Sequence, residues 1–173
     1  MRNQSLSSTV QDFEKPEGFN VYGGNAALRV ERSVTKSNPV LVIEAARSTG
    51  KTDGGGILYD WPNKIVFQIL PRELPALLCC LLGITGTFEA KMHGAKKDKQ
   101  LRLECQAERA IYFLRMSAGN QHLAVPITAD SVFTFASLAT RILSEQSFTD
   151  PATCLTLLRA TTGRLLHHSH TST

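Results

Sequence analysis

The order of patterned segments constrains this chain more than any single residue does. β patterning runs from about Asn20 to Leu70 and gives way to a compact helical stretch at Pro71–Leu82. A second β stretch at Thr87–Val125 is followed by a second helical stretch at Ala129–Ser144. Four strands and a helix, given twice, amount to an internal duplication of architecture. Consecutive strands joined by short turns pair antiparallel, so the order predicts an α+β fold.

The strands are read from alternation. In Ala26–Val34, Leu28 and Val30 share one face, while Arg29, Glu31 and Ser33 share the other. Val40–Ala46 is apolar enough to be covered on both faces. Gly50–Gly56 is expected as a glycine-rich hairpin loop before a strand at Ile57–Trp61. Ile65, Phe67 and Ile69 mark the buried face of the next strand. Pro71 suits a first helical turn, where a missing N–H costs nothing. Leu74, Leu77, Leu78 and Leu81 recur at helical spacing, and Gly83 closes the segment. In the second half the strands are Thr87–His93, Gln100–Ala107, Ala110–Ser117 and a short His122–Val125 ended by Pro126. Tyr112, Leu114 and Met116 fall on one face of the third of these, with Ile111, Phe113 and Arg115 on the other. Three parts are expected: a flexible arm over 1–18, one folded domain over 19–145, and a C-terminal helix with a loose tail over 146–173.

Several activities find no support in the residues. Cys79, Cys80, Cys105 and Cys154 have no C-x-x-C spacing and read as small apolar filler in a reducing compartment. Ala45–Thr52 fits a loose phosphate-loop pattern, but Asp53-Gly54-Gly55-Gly56 follows it and cannot open a helix. Neither His93 nor His122 has a visible nucleophile and carboxylate partner, and the three tail histidines lack further ligands. The reading is a non-enzymatic protein without cofactor or metal. No apolar run is long enough to span a membrane, and Met1–Phe13 resembles neither a signal peptide nor a transit peptide. A cytoplasmic location is therefore expected.

What remains is charge on strands. Nineteen Lys and Arg stand against fifteen Asp and Glu, a net charge of +4. That excess suits a polyanion without requiring one. Arg29, Lys64, Lys91, Lys96, Lys97, Lys99, Arg102 and Arg115 all fall on predicted strands or hairpins. Long cationic side chains on a rigid surface neutralise phosphates, and exposed aromatic faces stack unpaired bases. Tyr22, Tyr59, Trp61 and Tyr112 are aromatic candidates, while Phe67 is expected in the core.

Tyr22-Gly23-Gly24-Asn25-Ala26-Ala27-Leu28, Gly56-Ile57-Leu58-Tyr59-Asp60-Trp61, and Phe67 before Leu70-Pro71-Arg72-Glu73 resemble motifs of the Whirly family. Thr87-Phe88-Glu89-Ala90 and Val125-Pro126-Ile127-Thr128 continue the resemblance in the same order, over about Tyr22–Ser144. The resemblance implies two four-stranded antiparallel sheets packed crosswise with two helices, and a homotetramer built on those helices. It also implies binding of single-stranded nucleic acid along sheet edges with little sequence preference. Kinetoplastid guide-RNA-annealing proteins share that fold and bind RNA. The chain departs from the family where Gly23 and Asn25 replace two lysines of the first motif. With no organelle-targeting segment, it resembles a bacterial or mobile-element relative.

The expected function is sequence-tolerant binding of single-stranded DNA, favoured over RNA, by a homotetramer. The expected site comprises Tyr22, Arg29, Trp61, Lys64, Lys91, Lys96, Lys97, Lys99, Arg102, Tyr112 and Arg115. The alternatives are an RNA-binding or annealing protein of the same fold, and an adaptor that has lost nucleic-acid binding. An adaptor gains weight if Glu31, Glu44, Glu89 and Glu104 neutralise the outward cations.

Overall fold

The computed structural model describes residues 17–171. Most of the expected N-terminal arm therefore lies outside the described residues. Among the described residues, nine strands form two antiparallel sheets. The first sheet contains β1 (Gly18–Tyr22), β2 (Ala26–Thr35), β3 (Asn38–Asp53), β4 (Gly56–Tyr59) and β5 (Ile65–Ile69). The second contains β6 (Thr87–His93), β7 (Lys99–Gln106), β8 (Ile111–Ala118) and β9 (Gln121–Thr128), paired in sequence order. Helix α1 (Leu74–Leu81) follows the first sheet and α2 (Ala129–Ser147) the second. The chain continues through α3 (Pro151–Leu158), a π-helical turn at Arg159–Gly163, and α4 (Arg164–Thr171).

The five strands of the first sheet occupy four positions. β5 pairs with the first half of β3, from Leu41↔Ile69 to Ala45↔Ile65, and β4 pairs with its second half. A 3-10 turn at Trp61–Asn63 separates these two short strands along one edge. The expected four-by-four layout thus holds by position, although one strand was missed by alternation. That strand is β1, where only Phe19 and Val21 carry the inward pattern. Gly18 permits its approach to β2, because a Cβ there would sit 2.7 Å from both Glu31 Cβ and the Val30 carbonyl oxygen.

Three further expectations are corrected. Residues 50–53 belong to β3 rather than to a long loop, and the turn is the pair Gly54-Gly55, at φ +56° and +87°. Two consecutive positive φ angles make the tight hairpin turn that matches strand twist, which glycine adopts without steric cost. The phosphate-loop match at Ala45–Thr52 is accordingly continuous strand. Pro126 does not end β9, which runs on to Thr128. β9 is an edge strand, where proline's missing N–H leaves no ladder bond unmade. His167–His170, expected in a loose tail, lie within α4, and His167 Nδ1 is 3.3 Å from the Ile84 carbonyl oxygen.

One core joins the sheets and helices. Leu28, Val30, Leu41, Ile43, Ile65, Phe67 and Ile69 of the first sheet meet Leu101, Leu103, Leu114, Val125 and Ile127 of the second. Leu74, Leu77 and Leu78 of α1 and Phe135, Ala139 and Ile142 of α2 complete it, with Cys154 and Leu158 of α3 at its margin. Asp150 caps α3 by accepting bonds from the Ala152 and Thr153 amides at 3.0 Å. This packing turns the other face of each sheet outward. No helix among the described residues is long and apolar enough to cross a membrane.

Candidate nucleic-acid interface

The outward face of the first sheet is charged and self-neutralised. Asn20, Arg29, Glu44 and Val66 lie in register across β1, β2, β3 and β5. Arg29 Nε donates to Glu31 Oε2 at 2.6 Å, two residues along the same strand. Lys64 Nζ lies 2.8 Å from Glu44 Oε2. Glu44 is only 8% exposed, so its carboxylate depends on Lys64 as a partner. Trp61 joins Arg29 and Lys64 around a shallow depression on this face. Tyr22 is exposed nearby, its ring tilted against Tyr59 at 5.8 Å between centroids. The Tyr59 hydroxyl donates to the Gly23 carbonyl at 2.6 Å and so ties β4 to the β1–β2 turn.

The outward face of the second sheet is built differently. Arg102 of β7 and Arg115 of β8 are direct cross-strand partners, flanked by Glu89 on β6 and Ala124 on β9. Like charges placed directly opposite repel. Glu104 relieves this with a single oxygen, Oε2, at 3.4 Å from Arg102 and 3.3 Å from Arg115. The neighbouring guanidinium groups, and a bond from Gln106, hold the Glu104 carboxyl below the usual carboxylate range, the Gln106 bond being the largest cause. The Arg115 guanidinium also lies over the Phe113 ring, 4.7 Å from its centroid. Lys91 pairs with Glu89 at 3.0 Å. Each guanidinium carries five donors, so one shared oxygen leaves most of them available.

A groove of about 290 Å³ runs over this face, lined by Glu89, Arg102, Arg115, Ser117 and His122 among others. A second, of about 460 Å³, lies across the junction of the sheets and is lined by Asn25, Arg47, Ser48 and Gly50. Both are bordered by His122, Leu123 and Ala124, so the edge strand β9 separates and joins them. Gly23 sits against the same strand. A Cβ there would meet Val125 Cγ1 at 3.4 Å and the Ala26 carbonyl oxygen at 3.0 Å. One of the two first-motif positions that lack a lysine is therefore packed closely against β9.

The basic hairpin between β6 and β7 stands at the end of the second sheet where the β8–β9 turn also lies. Lys96 and Lys97 are exposed at its tip, and among the described residues neither has a carboxylate within 4.0 Å. Lys99 is turned away from the tip, its Nζ donating to the Val66 carbonyl oxygen at 2.9 Å. The hairpin is braced further by His93, whose Nε2 lies 2.8 Å from Glu73 Oε1 and whose ring stacks on Phe67 at 4.2 Å.

The expected site residues thus separate into groups. Lys91, Arg102 and Arg115 come together on one face, with Lys96 and Lys97 on the hairpin at the end of that sheet. Arg29, Lys64, Trp61 and Tyr22 belong to the opposite sheet. Tyr112 faces inward, and its hydroxyl donates to the Cys80 carbonyl at 2.8 Å, strapping β8 to the end of α1. Phe113, one residue on, is the aromatic that shares a face with Arg115. Alternation along β8 already put Phe113 and Arg115 together. Arg47 and His122 carry no interface signal in the sequence: the first lies within the phosphate-loop match, and the second stands alone on a short strand.

No group of three His, Cys, Asp or Glu side chains among the described residues could hold a metal ion. Burial pushes the Cys80 thiol up to about 12, helped by the charges of Cys105 and Cys79, which disfavours its thiolate at neutral pH. Burial also raises Cys79 and Cys154.

No protein-family model and no curated protein matches the sequence. Solved structures do match its fold. The plant transcriptional regulator PBF-2, a Whirly protein, aligns over 78% of this chain and 84% of its own, at 19% identity and a TM-score of 0.58. The trypanosome proteins MRP1/MRP2 align over 76% of this chain and 94% of their own, at 16% identity and a TM-score of 0.52. At such identities the likeness is one of architecture, and the chain has a Whirly-like fold.

Proposed function

We propose that this protein binds single-stranded nucleic acid without catalysing a reaction on it, preferring DNA to RNA and tolerating most sequences. The observation that carries the reading is the Arg102–Arg115 pair, which shares one carboxylate oxygen beside the Phe113 ring on an open sheet face. Guanidinium donors take up phosphate, and an adjacent aromatic ring offers a platform for an unstacked base. The strand would run over the second sheet and cross β9 at His122 toward Arg47. The shared architecture with PBF-2, itself a transcriptional regulator, supports a nucleic-acid role.

We further propose that the working form is a cytoplasmic homotetramer. Leu77, Leu78 and Leu81 are consumed inside the subunit, so they cannot serve that assembly. Phe133 of α2, 75% exposed, and Phe148 at its end, 96% exposed, are apolar groups available to it, with Leu157 of α3 and Leu165 of α4 also exposed. Light scattering should give about four times the 19.0 kDa chain mass. A monodisperse monomer at micromolar concentration would exclude the tetramer.

A second reading, a protein-binding adaptor of the same fold, has its own observation. Arg29, Lys64, Lys91, Arg102 and Arg115 all have glutamate partners within 4.0 Å. The Lys64 pair involves a nearly buried carboxylate, but the exposed pairs contribute only about 0–1 kcal/mol each, so phosphates can displace them. Titration with a fluorescent oligothymidine of about 30 nucleotides, beside matched RNA and duplex DNA, separates the readings. Saturable binding at low salt that weakens with a log–log slope of about −0.7 per phosphate contact supports the first. Absence of binding at low salt supports the adaptor.

A further inference from the structure

We propose that Glu104 is an internal stand-in for phosphate, a specificity-determining residue that fills the Arg102–Arg115 clamp until a nucleic-acid strand displaces it. The inference rests on the single-strand-binding reading above. Three features of the face lead to it. Arg102 and Arg115 are direct cross-strand partners, so their charges are forced together by register rather than by side-chain choice. A single oxygen of Glu104 meets both, at 3.4 and 3.3 Å, distances long for charge-assisted bonds. Gln106 Nε2, at 3.3 Å, holds the other oxygen of the same carboxylate from the next outward position on β7. The carboxylate is therefore positioned but loosely held, and a phosphate with shorter bonds to both guanidiniums can replace it.

Two consequences follow from that arrangement. The stand-in holds the two guanidinium groups near one another in the free protein, against their repulsion, so the clamp is formed before ligand arrives. It also selects against weak polyanions, because any ligand must outcompete a carboxylate already in place. Glu31 provides an internal control. It pairs with Arg29 on the other sheet at 2.6 Å, so its removal changes net charge equally without touching the clamp.

The test compares E104Q, E104D and E31Q with the wild-type chain by oligothymidine titration over a range of salt, with thermal melts to confirm folding. E104Q is expected to bind about three- to tenfold more tightly near 0.1 M salt, as a nearby like charge is removed from the phosphate path. Its salt slope should steepen by about 0.7, one phosphate's worth. E104D, which keeps the charge, and E31Q, on the other face, should each stay within about twofold of wild type on the same electrostatic argument. Wild-type binding with E104Q unchanged in affinity and slope overturns the stand-in alone. An equal gain in E31Q also overturns it, by reducing the effect to net charge. Failure of wild type and E104Q alike to bind at low salt overturns both this inference and the reading beneath it. Should E104Q fail to fold, E104A takes its place in the same titration: the same gain is expected, and unchanged affinity and slope would overturn the proposal.

Discussion

The two sheets present outward faces of similar composition and opposite character. On the first, Arg29 and Lys64 each have a carboxylate of their own: Glu31 at 2.6 Å and Glu44 at 2.8 Å. On the second, Arg102 and Arg115 divide one carboxylate between them at more than 3 Å. Glu44 is nearly buried, whereas Arg102 and Arg115 remain exposed. The same residue types therefore serve different ends. A short, one-to-one pair over a buried carboxylate stabilises a surface, and a loose two-to-one arrangement leaves donors for a ligand. Counting basic residues along the sequence cannot tell these apart, because what matters is the ratio and distance of the partners.

The largest effect expected from this difference concerns affinity. Replacing Lys91, Arg102 and Arg115 together by Ala should weaken oligothymidine binding about tenfold or more and flatten the salt slope by up to about 2. Replacing Arg29 and Lys64 by Ala should leave affinity within about twofold, since neither loses a phosphate contact. Equal losses in the two variants would erase the distinction between the faces. Next in size, Phe113→Ala should cost about 1–3 kcal/mol of binding if a base stacks there, and little stability, as read by titration and chemical denaturation. Tyr112→Phe should leave binding unaffected, because its hydroxyl serves α1 rather than the outer face.

The difference between the faces also has smaller effects on stability. Lys64→Ala should destabilise the fold by about 1–3 kcal/mol, because Glu44 is left nearly buried without its partner. Lys91→Ala removes an exposed pair with Glu89 and should change stability by less than about 0.5 kcal/mol. Urea denaturation of both variants checks the order. Equal values would mean that the two faces hold their charges alike.

Much of the fold was legible because alternation is a direct record of which face is buried. Thr87–His93 was read to its correct ends, and Phe67, Leu101 and Leu103 were correctly assigned inward. The failures have physical causes. β1 has two inward apolar side chains and begins at a glycine chosen for close approach, so it carries almost no pattern. The second half of β3 leaves the body of the sheet and is exposed over Thr49–Asp53, so burial no longer imprints on its residues. β9 continues through Pro126 because an edge strand excuses proline. At the interface, the pairs Arg29–Glu31, Glu89–Lys91 and Arg102–Glu104 were implicit in the two-residue spacing of a strand face. The meeting of Arg102 with Arg115 was not, because register between β7 and β8 is set by the whole sheet. The joining of Arg47 to His122 across β9 depends on how the two sheets pack, which no local pattern encodes.

If Arg102 and Arg115 take up phosphate, the ligand lies on the outward face of the second sheet. Photocrosslinking of a 4-thiothymidine oligonucleotide, followed by mapping of the modified peptides, tests it most directly. Crosslinks are expected in the segments that carry Arg102, Phe113, Arg115 and His122, lost when excess unmodified oligothymidine competes. Crosslinks confined to the segments around Tyr22, Arg29 and Trp61–Lys64 would contradict it and move the interface to the self-neutralised face.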